Sequence, residues 1–361
     1  MPAELDGLRE ALGRAVGEEH VLRGSAAAAL AIDGAAPRLA VRPGTQAELQ
    51  AVMAAAAGAG AATAARGSGS ALGLGHRPAR LDLVVCLDRL CRIVALDPAN
   101  LVVTVEAGVR LGDLHARLAG VRQLLGLDPP RLDRRTVGGV LATNASGPGR
   151  LRHGTARDVV LGLTVVLAGG WRVRCGGRVI KNVSGYDLNK LFIGSLGTLG
   201  VISEATFKLL PAPAARAAVA GLFPGLAGAA AAVARLLRSS LLPESVDLLD
   251  ARTMARLGAG LGLAGTGYGL VVGVAGSPET VERQACDLER LMAEGGAGEV
   301  RSLREAPARA AGALVREALE GGAGRIRVKL GVPIGDTGRL FAAAEALGER
   351  RGWSTGVMAH A

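Results

Sequence analysis

The chain has 361 residues, enough for about two or three domains. Hydrophobic residues make up 49% and charged residues 20%, which excludes a mainly disordered chain, and the 54 glycines follow no three-residue period, which excludes a collagen-like one. The net charge of +10 comes almost wholly from arginines scattered along the chain, and aromatics are only 2%, so clustered charge with stacking rings, the mark of a nucleic-acid binder, is missing; a small anionic substrate or an acidic partner suits such a surface better.

In chain order, residues 4–22 space Leu5, Leu8, Leu12 and Val16 as one helical face. The N-terminus has acidic residues and no apolar core, so no signal peptide is expected. A short strand is predicted at 39–42. Thr45 and Glu48 form a capping-box pair opening a helix to about residue 57. Residues 61–65, 83–87, 93–97 and 101–107 read as strands, and 110–118 as a short helix. From 128 to 154 the chain is rich in Gly and Pro without periodicity, which predicts a long functional loop. Strands resume at 159–168 and 171–175 around a Gly169-Gly170 turn, and again at 201–210.

Past Pro211 and Pro213 the pattern changes to alternating segments at 217–223, 225–238, 245–249, 270–274, 278–292, 306–319, 325–332 and 337–350. Ser277 and Asp336 are expected helix caps, with Pro278 at the first helical position. The uncharged run 217–234 approaches a membrane span in length, but Pro224 and its glycines make it a strand, a turn and an Ala-rich helix. No transmembrane segment is expected. The domains are therefore placed at 1–32 (a helical segment), 33–212 and 213–361. Cys86, Cys91, Cys175 and Cys286 form no CxxC, so four reduced, mostly buried thiols and a reducing, cytoplasmic compartment are expected, with no metal site.

Three segments carry chemistry. Arg66-Gly-Ser-Gly-Ser70 follows a strand, and its small residues allow backbone amides to approach a phosphate. Its next glycine comes one place late for a dinucleotide fingerprint and no helix follows, so a Rossmann reading fails. Thr136-Val-Gly-Gly-Val-Leu-Ala-Thr-Asn-Ala-Ser-Gly147 offers hydroxyls and an amide on a compact backbone. Gly194-Ser-Leu-Gly-Thr-Leu-Gly200 follows Lys181-Asn-Val-Ser-Gly-Tyr-Asp187. Singly, each reads equally well as a loop that serves folding alone.

In this order and spacing, the three segments resemble the PCMH-type FAD-binding domain of the vanillyl-alcohol oxidase superfamily. The resemblance runs from about Asp33 to Pro211 and is nearest to the FAD-binding E-type subunits of glycolate oxidase, whose KNVxGYDLxxL run matches Lys181–Leu191. It implies an α+β fold: a two-subdomain FAD-binding domain, then an α+β cap domain. It also implies that Arg66, Gly67, Ser68, Gly69 and Ser70 hold the FAD pyrophosphate with Pro43 nearby. Thr136, Gly138, Gly139, Thr143, Asn144, Ser146 and Gly147 would line the cofactor; Gly154, Val201 and Ile202 would pack on it, largely by backbone. Covalent members carry His where Ser70 stands, so FAD is expected to be non-covalent.

Departures from the family pattern are Leu196 where many relatives have Glu, His153 where Tyr is frequent, and an end at Val357-Met-Ala-His-Ala361, about where the larger D-type subunits begin a His-rich signature. These favour an E-type subunit, and either the cap domain is curtailed or the end at residue 361 comes early. The resemblance then implies oxidation of glycolate to glyoxylate beside a D-type flavoprotein subunit, with electrons passing to a separate iron–sulfur subunit at the inner face of the membrane. A stand-alone 2-hydroxy acid dehydrogenase of lactate type, or a structural FAD-binding partner without catalysis, are the alternatives. Such chemistry needs a base for the hydroxyl proton. His153 and Tyr186 are the candidates, with Lys181 beside them; Arg152 or Arg157 would pair a substrate carboxylate, or Asp158 within the chain. His360 is expected to fray at the terminus.

Overall fold

A computed structural model describes residues 2–179, 185–320 and 326–360. The fold is mixed α+β and divides into two compact units. The first comprises residues up to 126, 132–145 and 155–212; the second comprises 127–131, 146–154 and 213 onward. Two short segments inside the range 33–212 thus belong with the second unit.

The first unit holds two larger sheets and a two-stranded pair of Gln123–Leu124 with Leu210–Pro211. In one, the strands Leu39–Val41, Leu83–Cys86 and Thr63–Arg66 lie parallel in that order, with Val21–Arg23 added antiparallel at the edge. The helix Gln46–Gly58 links two of these strands. Thr45 accepts from the Glu48 amide at 3.1 Å as expected, but Glu48 reaches back to the Gly44 amide at 2.7 Å, one residue earlier than a standard capping box. The other sheet is antiparallel, in the order Ile93–Asp97, Val102–Glu106, Val201–Lys208, Val160–Val166, Arg172–Gly176. Its Gly169-Gly170 turn forms, with Gly170 at φ +82°. Leu12, Leu49, Val52, Leu83 and Val85 share one core with Val166 and Val201, and so tie the two sheets together.

The second unit is one antiparallel sheet, Glu299–Arg304, Ala215–Phe223, Tyr268–Gly276, Ser245–Leu249, Met358–His360, with helices including Leu226–Leu237, Pro278–Glu294 and Ala306–Arg316. The run 217–234 is indeed strand, turn and helix. Ser277 caps its helix through the Thr280 amide at 3.2 Å. Asp336 occupies the cap position of Thr337–Arg351 without a capping hydrogen bond.

Several expectations need correction. The first helix stops at Val16, and the chain turns through Glu18–His20 into an edge strand. The stretch 128–154 is no open loop: it contains the helices Val137–Thr143 and Arg150–His153. Residues 326–332 form no strand, and Ile326, Val328 and Leu330 are exposed. His360 is paired within the sheet opposite Asp247 rather than frayed. Of the four free cysteines, Cys86 and Cys175 are buried but Cys91 and Cys286 are exposed. Among the described residues no helix is long and apolar enough to cross a membrane.

Candidate functional site

Parallel pairing sets the direction of the first unit's loops. Because Leu39–Val41, Thr63–Arg66 and Leu83–Cys86 run the same way, Pro43 and the Arg66–Ser70 loop both leave from the carboxyl ends of the strands, the end at which open α/β sheets present ligand sites. Gly69 takes φ +79°, which only glycine adopts cheaply there, and a Cβ on it would sit 2.6 Å from the Arg66 guanidinium. Ser68 and Ser70 hydroxyls are 3.2 Å apart. Burial pushes the neighbouring Cys86 thiol up to about 11, so it is no thiolate nucleophile.

Gly67 brings the second segment against this loop: a Cβ there would lie 2.0 Å from Thr136 Oγ1. Thr136 caps the helix Val137–Thr143, its hydroxyl accepting from the Gly139 amide at 3.4 Å. Gly138 donates to the Ala107 carbonyl at 2.8 Å and packs where a Cβ would lie 2.8 Å from the Ala107 methyl. The Thr143 hydroxyl donates to the Gly139 carbonyl at 2.8 Å. Asn144 ends the helix in the left-handed region at φ +45°.

The third segment closes on that helix end. Gly194 and Leu196 amides donate to the Leu141 and Ala142 carbonyls at 2.9 and 2.8 Å, satisfying groups the helix leaves open. A Gly194 Cβ would lie 3.4 Å from the Asn144 Cβ. Asn144 Oδ1 and Ser195 Oγ are buried with no hydrogen-bond partner among the described residues, an arrangement that is costly unless a polar group meets them. Val201 and Ile202 are buried, and Val201 belongs to the core of the unit.

Tyr186, also in the first unit, is 94% exposed. Lys181 lies outside the described residues. Asp158 pairs with neither Arg152 nor Arg157: it accepts from the Thr155 amide at 2.7 Å, which holds its carboxyl below the usual range. Arg157 donates to the Ile193 carbonyl and Arg152 to the Leu242 carbonyl.

Ser146, Gly147, His153 and Gly154 belong to the second unit. Gly147 approaches the Asp128 backbone so closely that a Cβ would lie 1.9 Å from its carbonyl oxygen. Asp128 also accepts from the Gly149 amide at 3.0 Å, and burial pushes its carboxyl up to about 6. His153 Nε2 lies 3.1 Å from Glu244 Oε1, and Arg216 donates to Glu244 Oε2 at 2.5 Å. Glu244, Arg216, Asp128 and Ser195 went unsingled in the sequence. Ser195 stood inside a recognised segment, whereas Glu244 and Arg216 are single charges that only the sheet brings together.

Comparison with known proteins adds the following. Residues 37–176 match the FAD binding domain family, and residues 212–361 match the C-terminal domain of FAD linked oxidases. Glycolate oxidase subunit GlcD of Bacillus subtilis is 33% identical over 254 residues, covering 67% of this chain and 54% of that protein. D-lactate dehydrogenase of Archaeoglobus fulgidus is 35% identical over 225 residues, 61% of this chain and 50% of that one. Glycolate oxidase subunit GlcE of Escherichia coli is 42% identical over 132 residues, 36% and 38% of the two chains. The chain thus spans about half the length, or less, of these curated relatives. Alkyldihydroxyacetonephosphate synthase superposes with a TM-score of 0.70 at 19% identity, covering 88% of this chain and 63% of that one. p-Cresol methylhydroxylase does so with 0.69 at 18%, covering 84% and 66%. These two likenesses concern the fold.

Proposed function

Because the chain carries the FAD binding domain and the C-terminal domain of the FAD-linked oxidases, we propose that it is a flavin-bearing subunit that oxidises a small 2-hydroxy acid, with glycolate as substrate and glyoxylate as product. The observation that carries the cofactor is the pair of buried, partnerless acceptors, Asn144 Oδ1 and Ser195 Oγ, beside a glycine-lined cradle. A buried amide oxygen and hydroxyl fit the polar edge of a flavin ring, and the Arg66–Ser70 loop, with Arg66 folded over Gly69, fits a pyrophosphate. Pro43, Arg66, Gly67, Ser68, Gly69, Ser70, Thr136, Gly138, Gly139, Thr143 and Asn144 would hold FAD from the first unit, with the buried Val201 and Ile202 behind them. For Ser146, Gly147 and Gly154 the cofactor role rests on the resemblance alone. Ser70 offers no nucleophilic ring nitrogen, in keeping with non-covalent FAD.

When bound, FAD supplies the acceptor for the hydride leaving C2 of the acid. His153 takes the hydroxyl proton in this reading, since its imidazole is held in place by the Glu244 carboxylate. Tyr186, fully open to water, is the weaker candidate. The relatives named glycolate oxidase subunits support an assembly of several subunits; a D-type flavoprotein and a separate iron–sulfur subunit as its members, and a cytoplasmic place at the membrane's inner face, rest on the sequence resemblance. The relatives named D-lactate dehydrogenase support the alternative of a self-sufficient dehydrogenase.

The test is anaerobic mixing of the FAD-loaded chain with glycolate, D-lactate and L-lactate, alone and with its partner subunits. Glycolate is expected to bleach the flavin band. Bleaching by D-lactate alone would replace the glycolate reading with the dehydrogenase one. Flavin that stays oxidised with every acid, in the assembly too, would leave only a structural role.

A further inference from the structure

We infer that Glu244 is a positioning residue for His153: its carboxylate fixes the neutral imidazole as the Nε2–H tautomer and so makes Nδ1 the atom that accepts the proton. The inference rests on the reading of His153 as the base.

The geometry is fixed on every side. His153 ends the short helix Arg150–His153, whose Leu151 packs against the core of the second unit and whose Arg152 donates to the Leu242 carbonyl. The Leu242 amide in turn donates to the buried Gln284 at 2.8 Å, so the segment leading to Glu244 is itself anchored. Glu244 donates its amide to the Gly273 carbonyl at 2.7 Å, at the start of the strand Ser245–Leu249. Arg216 stands on Ala215–Phe223, two strands along the same sheet. The imidazole, carboxylate and guanidinium are therefore all tied to one rigid sheet.

The hydrogen-bond inventory then decides the tautomer. An ionised carboxylate only accepts, so the imidazole nitrogen facing it must carry the proton. Burial works against the Glu244 charge, but the His153 hydrogen bond and the Arg216 charge outweigh it, and its pKa lies below the usual carboxylate value. Both carboxylate oxygens are engaged, Oε1 by His153 and Oε2 by Arg216, which holds the carboxylate in place between them. Nδ1 has no partner among the described residues. Its lone pair is the one left for a substrate hydroxyl. An orienting acid behind a base is a recurrent arrangement, since the proton-accepting nitrogen of a histidine is set by the hydrogen bond its other nitrogen makes.

The experiment is nitrogen NMR of the FAD-loaded full chain with labelled histidine, with the His153 signals identified by their loss in His153→Gln. The expected result is a neutral His153 with its proton on Nε2, slow to exchange with water. In Glu244→Gln, which keeps the size of the side chain, the Nε2 proton is expected to exchange quickly. The rate of flavin reduction by glycolate is expected to fall about 10- to 100-fold with little change in KM. A wild-type His153 protonated on Nδ1, or a Glu244→Gln chain with unchanged exchange and unchanged rate, would overturn the inference. Full flavin reduction by His153→Gln would instead sink the reading of His153 as the base, whatever the tautomer.

Discussion

Asn144 joins a backbone requirement to a chemical one. Its φ of +45° is a conformation that costs most L-residues about 1–2 kcal/mol, less for Asn and nothing for Gly. Its Oδ1 is meanwhile buried without a partner among the described residues. The two roles separate by substitution. Asn144→Gly is expected to melt within about 1 kcal/mol of the wild type, yet to bind FAD about tenfold more weakly, because the strain goes while the acceptor is lost. Asn144→Ala is expected to lose on both counts. Thermal melts and FAD titration read them apart; an Asn144→Gly chain that binds FAD as tightly as wild type contradicts the assignment. Asn144 was singled out from the sequence as a proposed cofactor residue, but its conformation was not legible there. Two glycines and β-branched neighbours favour a loop, and the helix exists because Thr136 caps it and Gly138 docks on Ala107. Tertiary contacts of that kind leave no local trace.

Among the elements, the edge strands Thr63–Arg66, Ile93–Asp97 and Arg172–Gly176 were legible, whereas the edge strands Val21–Arg23, Glu299–Arg304 and Met358–His360 were not. Glu299–Arg304 pairs on one side only, with Ala215–Phe223, and its charged residues hide the alternation. The run 326–332 alternates well, yet no strand partner meets it among the described residues. The helix Arg150–His153 is held by Asp128, a residue 21 positions upstream of Gly149, and this too escaped the sequence. That anchor carries a pH signature. With its carboxyl pushed from the ordinary 3.8 up to about 6 by burial, folded Asp128 keeps a proton that the unfolded chain releases between these values. The folded state binds more protons in that window, so this contribution is full below it and is lost as pH rises through it, by at most about 3 kcal/mol. Asp128→Asn retains an acceptor for the Gly149 amide and carries no charge. It is expected to melt higher than wild type at pH 8 and to show no such gain at pH 4. A lower melting temperature at pH 8 contradicts this account of the anchor.

For the whole molecule, two domain families account for most of the chain, and each compact unit has its own sheet and core. The segments proposed to hold the cofactor were legible through their glycines, among them Gly147, which lies against the Asp128 backbone, and Gly67, which lies against the Thr136 side chain. The proposed base and the acid inferred to orient it were only half legible: His153 stood beside a recognised segment, whereas Glu244 and Arg216 reach it through the fold of the second unit. Every functional statement depends on one physical claim, that this chain binds FAD without a covalent bond. The direct measurement is the visible spectrum of the purified chain supplied with FAD, followed by acid precipitation. The account predicts a protein-bound flavin spectrum and full release of intact FAD into the acid supernatant. A chain that takes up no flavin, or flavin that stays with the precipitated protein, would contradict it.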